Sequence, residues 1–430
     1  MIRVPRVAIV TIAVLIAVLG ALGFRDFTRS PYTGILDNNL IIQAVETSSP
    51  NLGSGLAPGD RILAVNGVVP RNLIHYRYLV SANRSLEPLV FTLAREDSTF
   101  AAAVRCSPQP TWRISGQFSL LVVGFTFILV GLVVIMKRPD ILGILFTLTC
   151  FIFSFLMTER PVTSIPLLHI AGELVYDFLF IFLPSVFLHF FLLFPGREIE
   201  QGTRRAWMIR YLYIPPVVLS LSTFVIGLWR YAGGAGSYLD GIIGALNALT
   251  VIYWGGYVIA SLAVFVRTYV VSEKVQRVKF RIVIVGVALG IVPITVLMLV
   301  KQFQPTGTAP LRYLWSFFLS FMPISFAYAI LKHDAFDLGI VARKSIVYTI
   351  LVLFFAALYY EFVTALTGEL RRIFGAQTPY VTGLAIVLFA IAIVPARSGI
   401  QKVVDRAFYK SRKIFKDEVF AFSRRIQYLL

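Results

Sequence analysis

The sequence predicts a polytopic all-α membrane bundle of about ten transmembrane helices, N-in and C-in, with a small α+β domain inserted after the first helix. Three observations predict it. The 430 residues are 57% apolar and only 14% charged, whereas soluble globules run near about 50% and about 25%. Apolar runs long enough to cross a hydrocarbon core of about 30 Å recur along the chain. One polar stretch of about 90 residues separates the first run from the rest.

The charge supports the same class. Forty Lys and Arg against 22 Asp and Glu give +18, but a nucleic-acid binder of that charge would carry far more charged residues, so the partner implied is the lipid bilayer. The two cysteines, Cys106 and Cys150, make no disulfide framework; Cys150 lies inside an apolar run and Cys106 outside one.

The first run, 7–24, follows Arg3 and Arg6 and has the layout of a signal peptide or of an uncleaved anchor. Its length suits a span, and Gly20, Ala21 and Gly23 form a poor cleavage site, so 1–27 reads as an anchor. The later runs cover 118–136, 141–157, 174–194, 209–229, 241–266, 282–300, 314–331, 345–366 and 380–394. Alternate connections differ in charge: with a cytoplasmic N-terminus, 25 of the 40 Lys and Arg fall inside and six in short outside loops. That asymmetry fits the positive-inside rule and places 28–110 outside a bacterial inner membrane.

Within 28–110, β-rich runs such as 40–42 and 89–93 alternate with Gly, Pro and Asn turns. The stretch 55–67 is more specific. Gly59 suits positive φ, Asp60 closes a turn through its side chain, Ile62, Leu63 and Val65 suit a buried strand, and Asn66-Gly67 favours a tight reversal. With Gly55 and Leu56 it resembles the bacterial PDZ signature, a Gly-Leu-x-x-Gly-Asp turn leading into a strand and an Asn-Gly turn. That resemblance implies that Tyr32, Thr33, Gly34 and Ile35 form the loop receiving a peptide's terminal carboxylate, beside a helix near 72–82 from which His75 faces the groove. The chain departs from the family pattern after Ser49-Pro50, where Asn51 stands instead of the usual Ala. A solvated helix residue is the plainer reading of His75.

A PDZ module on membrane helices suggests an intramembrane protease, but His75, His169, His189 and His333 include no His-Glu-x-x-His pair. There is likewise no phosphate loop, nucleophile elbow or cysteine cluster, so the sequence predicts no catalytic residue, metal or cofactor. Ionisable groups inside the runs remain: Asp177, His189 and Glu361, which hydrocarbon makes costly. The competing reading gives them interfacial hydration or bonds to neighbouring helices.

Beyond 395, Ile400, Val403, Val404, Ala407 and Phe408 make an amphipathic face with Lys402, Arg406 and Lys410 toward anionic lipid. Phe415, Val419, Phe422, Ile426 and Leu429 then step by four and three, a heptad stripe suited to a parallel homodimer. The domains predicted are 1–27 anchor, 28–110 outside domain, 111–395 membrane domain and 396–430 cytoplasmic helix.

The order of anchor, outside PDZ-like module and multi-span region resembles the input half of ComP-like quorum-sensing histidine kinases, and of related bacterial sensor kinases and PP2C-type phosphatases. Three local stretches carry the resemblance: Leu188-His189-Phe190-Phe191-Leu192-Leu193-Phe194-Pro195, Lys332-His333-Asp334-Ala335-Phe336-Asp337-Leu338 followed by Arg343, and Val404-Asp405-Arg406-Ala407-Phe408-Tyr409. It implies a two-component sensor whose kinase-type output lies outside these residues. The alternative is a PDZ-type scaffold that captures C-terminal peptides of envelope proteins. A transporter would show inverted repeats, and none is evident between 118 and 394.

Overall fold

The first helix, α1 (Arg6–Arg29), is apolar around its circumference but has a close-packed side. A Cβ at Gly20 would press on Thr158, and one at Gly23 would collide with the backbone carbonyl of Glu159. The small residues that make a poor cleavage site thus admit a neighbouring backbone. The computed structural model describes residues 6–331 apart from 39, 47, 72, 97, 162–165, 195–203, 232–236 and 304–315, and all of them fall in one compact unit.

Chain leaving α1 forms a five-stranded antiparallel meander in sequence order: β1 (Ile35–Asn38), β2 (Ile41–Val45), β3 (Arg61–Val65), β4 (Leu89–Arg95) and β5 (Ser98–Val104). Between β3 and β4 runs α2 (Leu73–Ser81). Alternation along β4 buries Leu89, Phe91 and Leu93, and Tyr76 of α2 packs edge-on against Phe91, ring centres 6.1 Å apart. With Ile35, Ile42, Ile62, Val65 and Val104 they form one small core. Tyr32 and Ser107 exchange backbone hydrogen bonds of 2.8 and 3.0 Å, which ties the chain entering the sheet to the chain leaving it.

The rest of the described chain is mainly helical: α3 (Thr111–Lys137), α4 (Ile141–Met157), α5 (Pro166–Leu193), α6 (Arg204–Tyr211), α7 (Ile214–Tyr231), α8 (Ser237–Val271), α9 (Lys274–Phe303) and α10 (Phe321–Leu331). A tight hairpin joins α3 to α4. Asp140 caps α4 by accepting the Gly143 N–H at 2.9 Å and pairs with Arg138 at 2.6 Å. Thr147 on α4 donates to the Gly131 carbonyl of α3 at 2.9 Å, so the two backbones lie close. Ala13, Ile16, Ile128, Phe151 and Phe155 seal α1 onto this pair. Both cysteines are free.

Phe190, Phe191 and Phe194 supply the centre of the described bundle. Phe190 meets Phe326 of α10 at 5.5 Å, Phe191 meets Phe265 of α8 at 5.4 Å, and Phe194 meets Phe280 of α9 at 5.2 Å. Aromatic contacts at these spacings favour edge-on packing and draw four helices to one point.

Among the described residues five helices are long and apolar enough to cross a bilayer: 7–29, 111–137, 171–193, 207–229 and 241–271. The chain is a mostly helical membrane protein with a small antiparallel sheet. Two predicted runs are shorter helices, at 141–157 and 316–331, the second opening as a 3₁₀ turn over 316–320. The run 282–300 lies inside α9. The run 209–229 is interrupted between α6 and α7, because Pro215 and Pro216 carry no N–H to continue the ladder. The predicted spans 345–366 and 380–394, with Glu361 and the stripe Phe415, Val419, Phe422, Ile426 and Leu429, lie outside the described residues.

Candidate functional site

In the sheet domain, local chemistry places the predicted residues. Gly55, Gly59 and Gly67 have φ of +83°, +97° and +77°, and Asn66 has +49°. Asn66 and Gly67 together make the primed turn that matches strand twist. Asp60 is only 1% exposed. It closes its turn by accepting the Ala57 N–H at 2.8 Å and is gripped by Arg95 of β4 at 2.7 and 2.8 Å. Arg95 also donates to the Gly55 carbonyl at 2.7 Å, and its guanidinium holds the Asp60 carboxyl below the ordinary carboxylate range against the opposing effect of burial. Arg95 lies 35 residues away in sequence, and no spacing rule pairs the two.

The Tyr32-Thr33-Gly34-Ile35 loop is held by its own domain. Tyr32 is buried, and its hydroxyl donates to Glu46 at 2.6 Å and contacts Ser48 at 2.8 Å. The Thr33 carbonyl accepts from Ser49 Oγ at 2.6 Å and Asn51 Nδ2 at 2.9 Å. Gly34 has φ +66° with Ser49 against it, and Ile35 begins β1 in the core. Asn51, the departure from the family pattern, bridges this loop to Arg105, donating to its carbonyl at 2.8 Å and accepting its N–H at 2.7 Å. His75 lies in the first turn of α2, where its Nδ1 accepts the Arg71 N–H at 3.1 Å. Burial and then Arg71 lower its pKa.

Of the intramembrane groups, His189 reaches the link between α6 and α7: its Nδ1 lies 2.9 Å from the Tyr213 hydroxyl. Asp177 stands about three turns into α5, one turn beyond Glu173, which pairs with Arg160 at 2.7 Å. Arg160 also covers the Tyr176 ring at 4.2 Å, and Glu159 accepts from Gln117 at 2.7 Å, its carboxyl pKa pushed up by burial. No described donor bonds the Asp177 carboxylate; Glu173, Arg160 and Arg77 are the charges in its field.

Sequence reading missed a junction built by prolines. Pro184, inside α5, has no N–H for the Phe180 carbonyl four residues back. Trp254 of α8 donates to that carbonyl at 3.1 Å, and Tyr253 donates to the next one, Ile181, at 2.9 Å. Pro216 likewise leaves the Leu212 carbonyl without a helical partner. Tyr257 of α8 donates to it at 3.0 Å, and Ser185 of α5 contacts it at 3.2 Å. Ser185 and Tyr253 lie 2.8 Å apart, so their two hydroxyl protons serve three contacts and have more than one arrangement. Freed carbonyls in a span must find partners, and here they tie α5 and the link leading into α7 to α8. The legible signal was a proline inside one apolar run, a Pro-Pro pair inside the next, and Tyr253, Trp254 and Tyr257 on one face of a third.

Beside this junction is a cavity of about 330 Å³ between α5 and α7. Leu174 meets Gly227 and Ser185 meets Leu212, so the helices run antiparallel. Phe178, Phe182 and Phe224 supply aromatic walls, and Asp177, Ser220 and Thr223 stand in a lining whose accessible surface is almost wholly apolar. Thr223 spends its hydroxyl on the Leu219 carbonyl, whereas the Ser220 hydroxyl, on a residue 8% exposed, has no partner among the described residues. Ile181 lines the cavity and also accepts from Tyr253, so the cavity wall and the junction share a residue.

No family model, no curated protein and no solved structure matches the chain.

Proposed function

We propose that the chain is the membrane-embedded input module of a bacterial signal-transduction protein, with about ten spans, both termini cytoplasmic, and the sheet domain an extracytoplasmic PDZ-like module at the inner membrane. A small hydrophobic signal enters the bundle, shifts its helices, and is passed through a cytoplasmic dimer helix to a kinase-type output. One observation carries this reading: the α5–α7 cavity shares Ile181 with a junction whose carbonyl bonds tie α5 and the link into α7 to α8. Filling the cavity changes the α5–α7 separation, and the Ser185 and Tyr253 hydroxyls have alternative partners with which to meet that change. Any ligand must favour one arrangement over the other, because equal affinity moves nothing.

The charge asymmetry of the connections supports the orientation, and the turn chemistry of 55–67 supports the PDZ-like assignment. The test is a graft of residues 1–430 onto a kinase transmitter, assayed for signal-dependent phosphorylation. Dimeric, signal-responsive behaviour is expected, and a monomeric, unresponsive graft overturns the reading. Tight, sequence-selective peptide capture by the sheet domain that leaves kinase output unchanged would instead favour a scaffold.

A further inference from the structure

We propose that the cavity between α5 and α7 binds a small amphiphile with an aromatic or branched apolar body and one protonated amine, the ammonium resting on Asp177 and the body among Phe178, Phe182 and Phe224. The inference rests on the sensor reading for the ligand's role as a signal, but not for its chemistry.

Volume sets the size. About 330 Å³ is at the small end of ligand pockets, which run from about 300 to 1,000 Å³. It accommodates a ring with a short chain and excludes a phospholipid with two acyl tails. A second void, at Phe127, Cys150 and Phe326, measures about 20 Å³ and is lined almost wholly by apolar side chains, too small for more than a water.

Charge sets the head group. Arg160 is committed to Glu173 at 2.7 Å and to the Tyr176 ring, and Arg77 acts on Asp177 only through its field, so among the described residues no cation contacts the Asp177 carboxylate. An uncontacted carboxylate among apolar side chains is costly, and an ammonium supplies both the countercharge and hydrogen-bond donors. The antiparallel pairing of Leu174 with Gly227 and Ser185 with Leu212 sets Asp177 at the level of Ser220 to Phe224. Ser220 stands within about a helical turn of the head group, its hydroxyl enclosed by protein rather than open to the cavity. Ile181, Phe182 and Val217 form the apolar end.

The probes are phenylbutylamine and phenylbutanol, which share a body and differ in the head group. The full chain is placed in phosphatidylcholine nanodiscs, and a diazirine derivative of the amine is photo-cross-linked and mapped by mass spectrometry. Labelling is expected on 174–182 and 217–224, with the alcohol competing at least tenfold more weakly than the amine. Asp177→Asn should bring the amine to the level of the alcohol, and Val217→Trp should fill the cavity and abolish labelling while the nanodisc-embedded chain keeps its thermal midpoint. Equal competition by amine and alcohol, an Asp177→Asn chain that binds as before, or labelling elsewhere would overturn the inference. Competition by added phosphatidylethanolamine would assign the ammonium to a lipid head group and also overturn it. Binding is read without any transmitter, so an unresponsive kinase graft that still takes up the amine removes the sensor reading and leaves the site.

Discussion

Asp60 shows how a residue legible in sequence acquires a partner that is not. Its turn-closing role follows from its place after Gly59, but the grip of Arg95 depends on β4 lying beside β3. Since Arg95 lowers the folded-state pKa of Asp60, the pair's contribution to stability is complete above the unfolded value of about 3.9. It is lost as pH falls through the depressed folded value. Amide exchange in the full chain should therefore show protection of 57–65 failing only under acid, below about pH 4. Asp60→Asn should lower that protection at neutral pH by on the order of 2 kcal/mol and remove the acid step; unchanged protection would exclude the role. Gly34 combines φ +66° with the Ser49 side chain against its missing Cβ, so Gly34→Ala should destabilise the sheet by at least about 1 kcal/mol in the same measurement.

At the scale of elements, α5 and the link into α7 are joined to α8 by groups that prolines release. Trp254→Phe should cost about 0.5–1.5 kcal/mol, the range of hydrogen bonds between membrane helices. In a Pro184→Ala background the alanine N–H competes for the Phe180 carbonyl, so the same substitution should cost less; a double-mutant cycle of unfolding in mild detergent measures the difference. Identical costs in both backgrounds would show that Pro184 does not create the site for Trp254. Elsewhere, Gly23→Leu should force α1 from α4, because its side chain would meet the Glu159 backbone, and a cysteine cross-link between the two helices would then form more slowly. Apolar periodicity located these helices well, and 141–157 coincides with α4. It could not see the interruption at Leu212 and Tyr213, since both residues continue the apolar pattern and only the following prolines break the ladder.

For the whole molecule, the C-terminal end of α1, the start of α3, the end of α4 and the start of α5 meet on the side of the sheet. The Gly23–Glu159, Gln117–Glu159 and Arg160–Glu173 contacts join them there. A reporter active only in the periplasm, fused near residue 234, should be active if that side is extracytoplasmic and the connection after α7 shares it; an inactive fusion reverses the proposed orientation. Composition and apolar run length determine by themselves that this is a mostly helical membrane protein with a small polar segment after its first helix. Those properties belong to single segments measured against lipid and water. The turns at 55–67 were legible for the same reason, as glycine and asparagine carry their backbone preferences wherever they stand. Only tertiary structure decided which freed carbonyl meets which hydroxyl, that Arg95 holds Asp60, and that Asp177 and Ser220 line one cavity. Each of these joins residues distant in sequence, through distances that arise only when the helices and strands have packed.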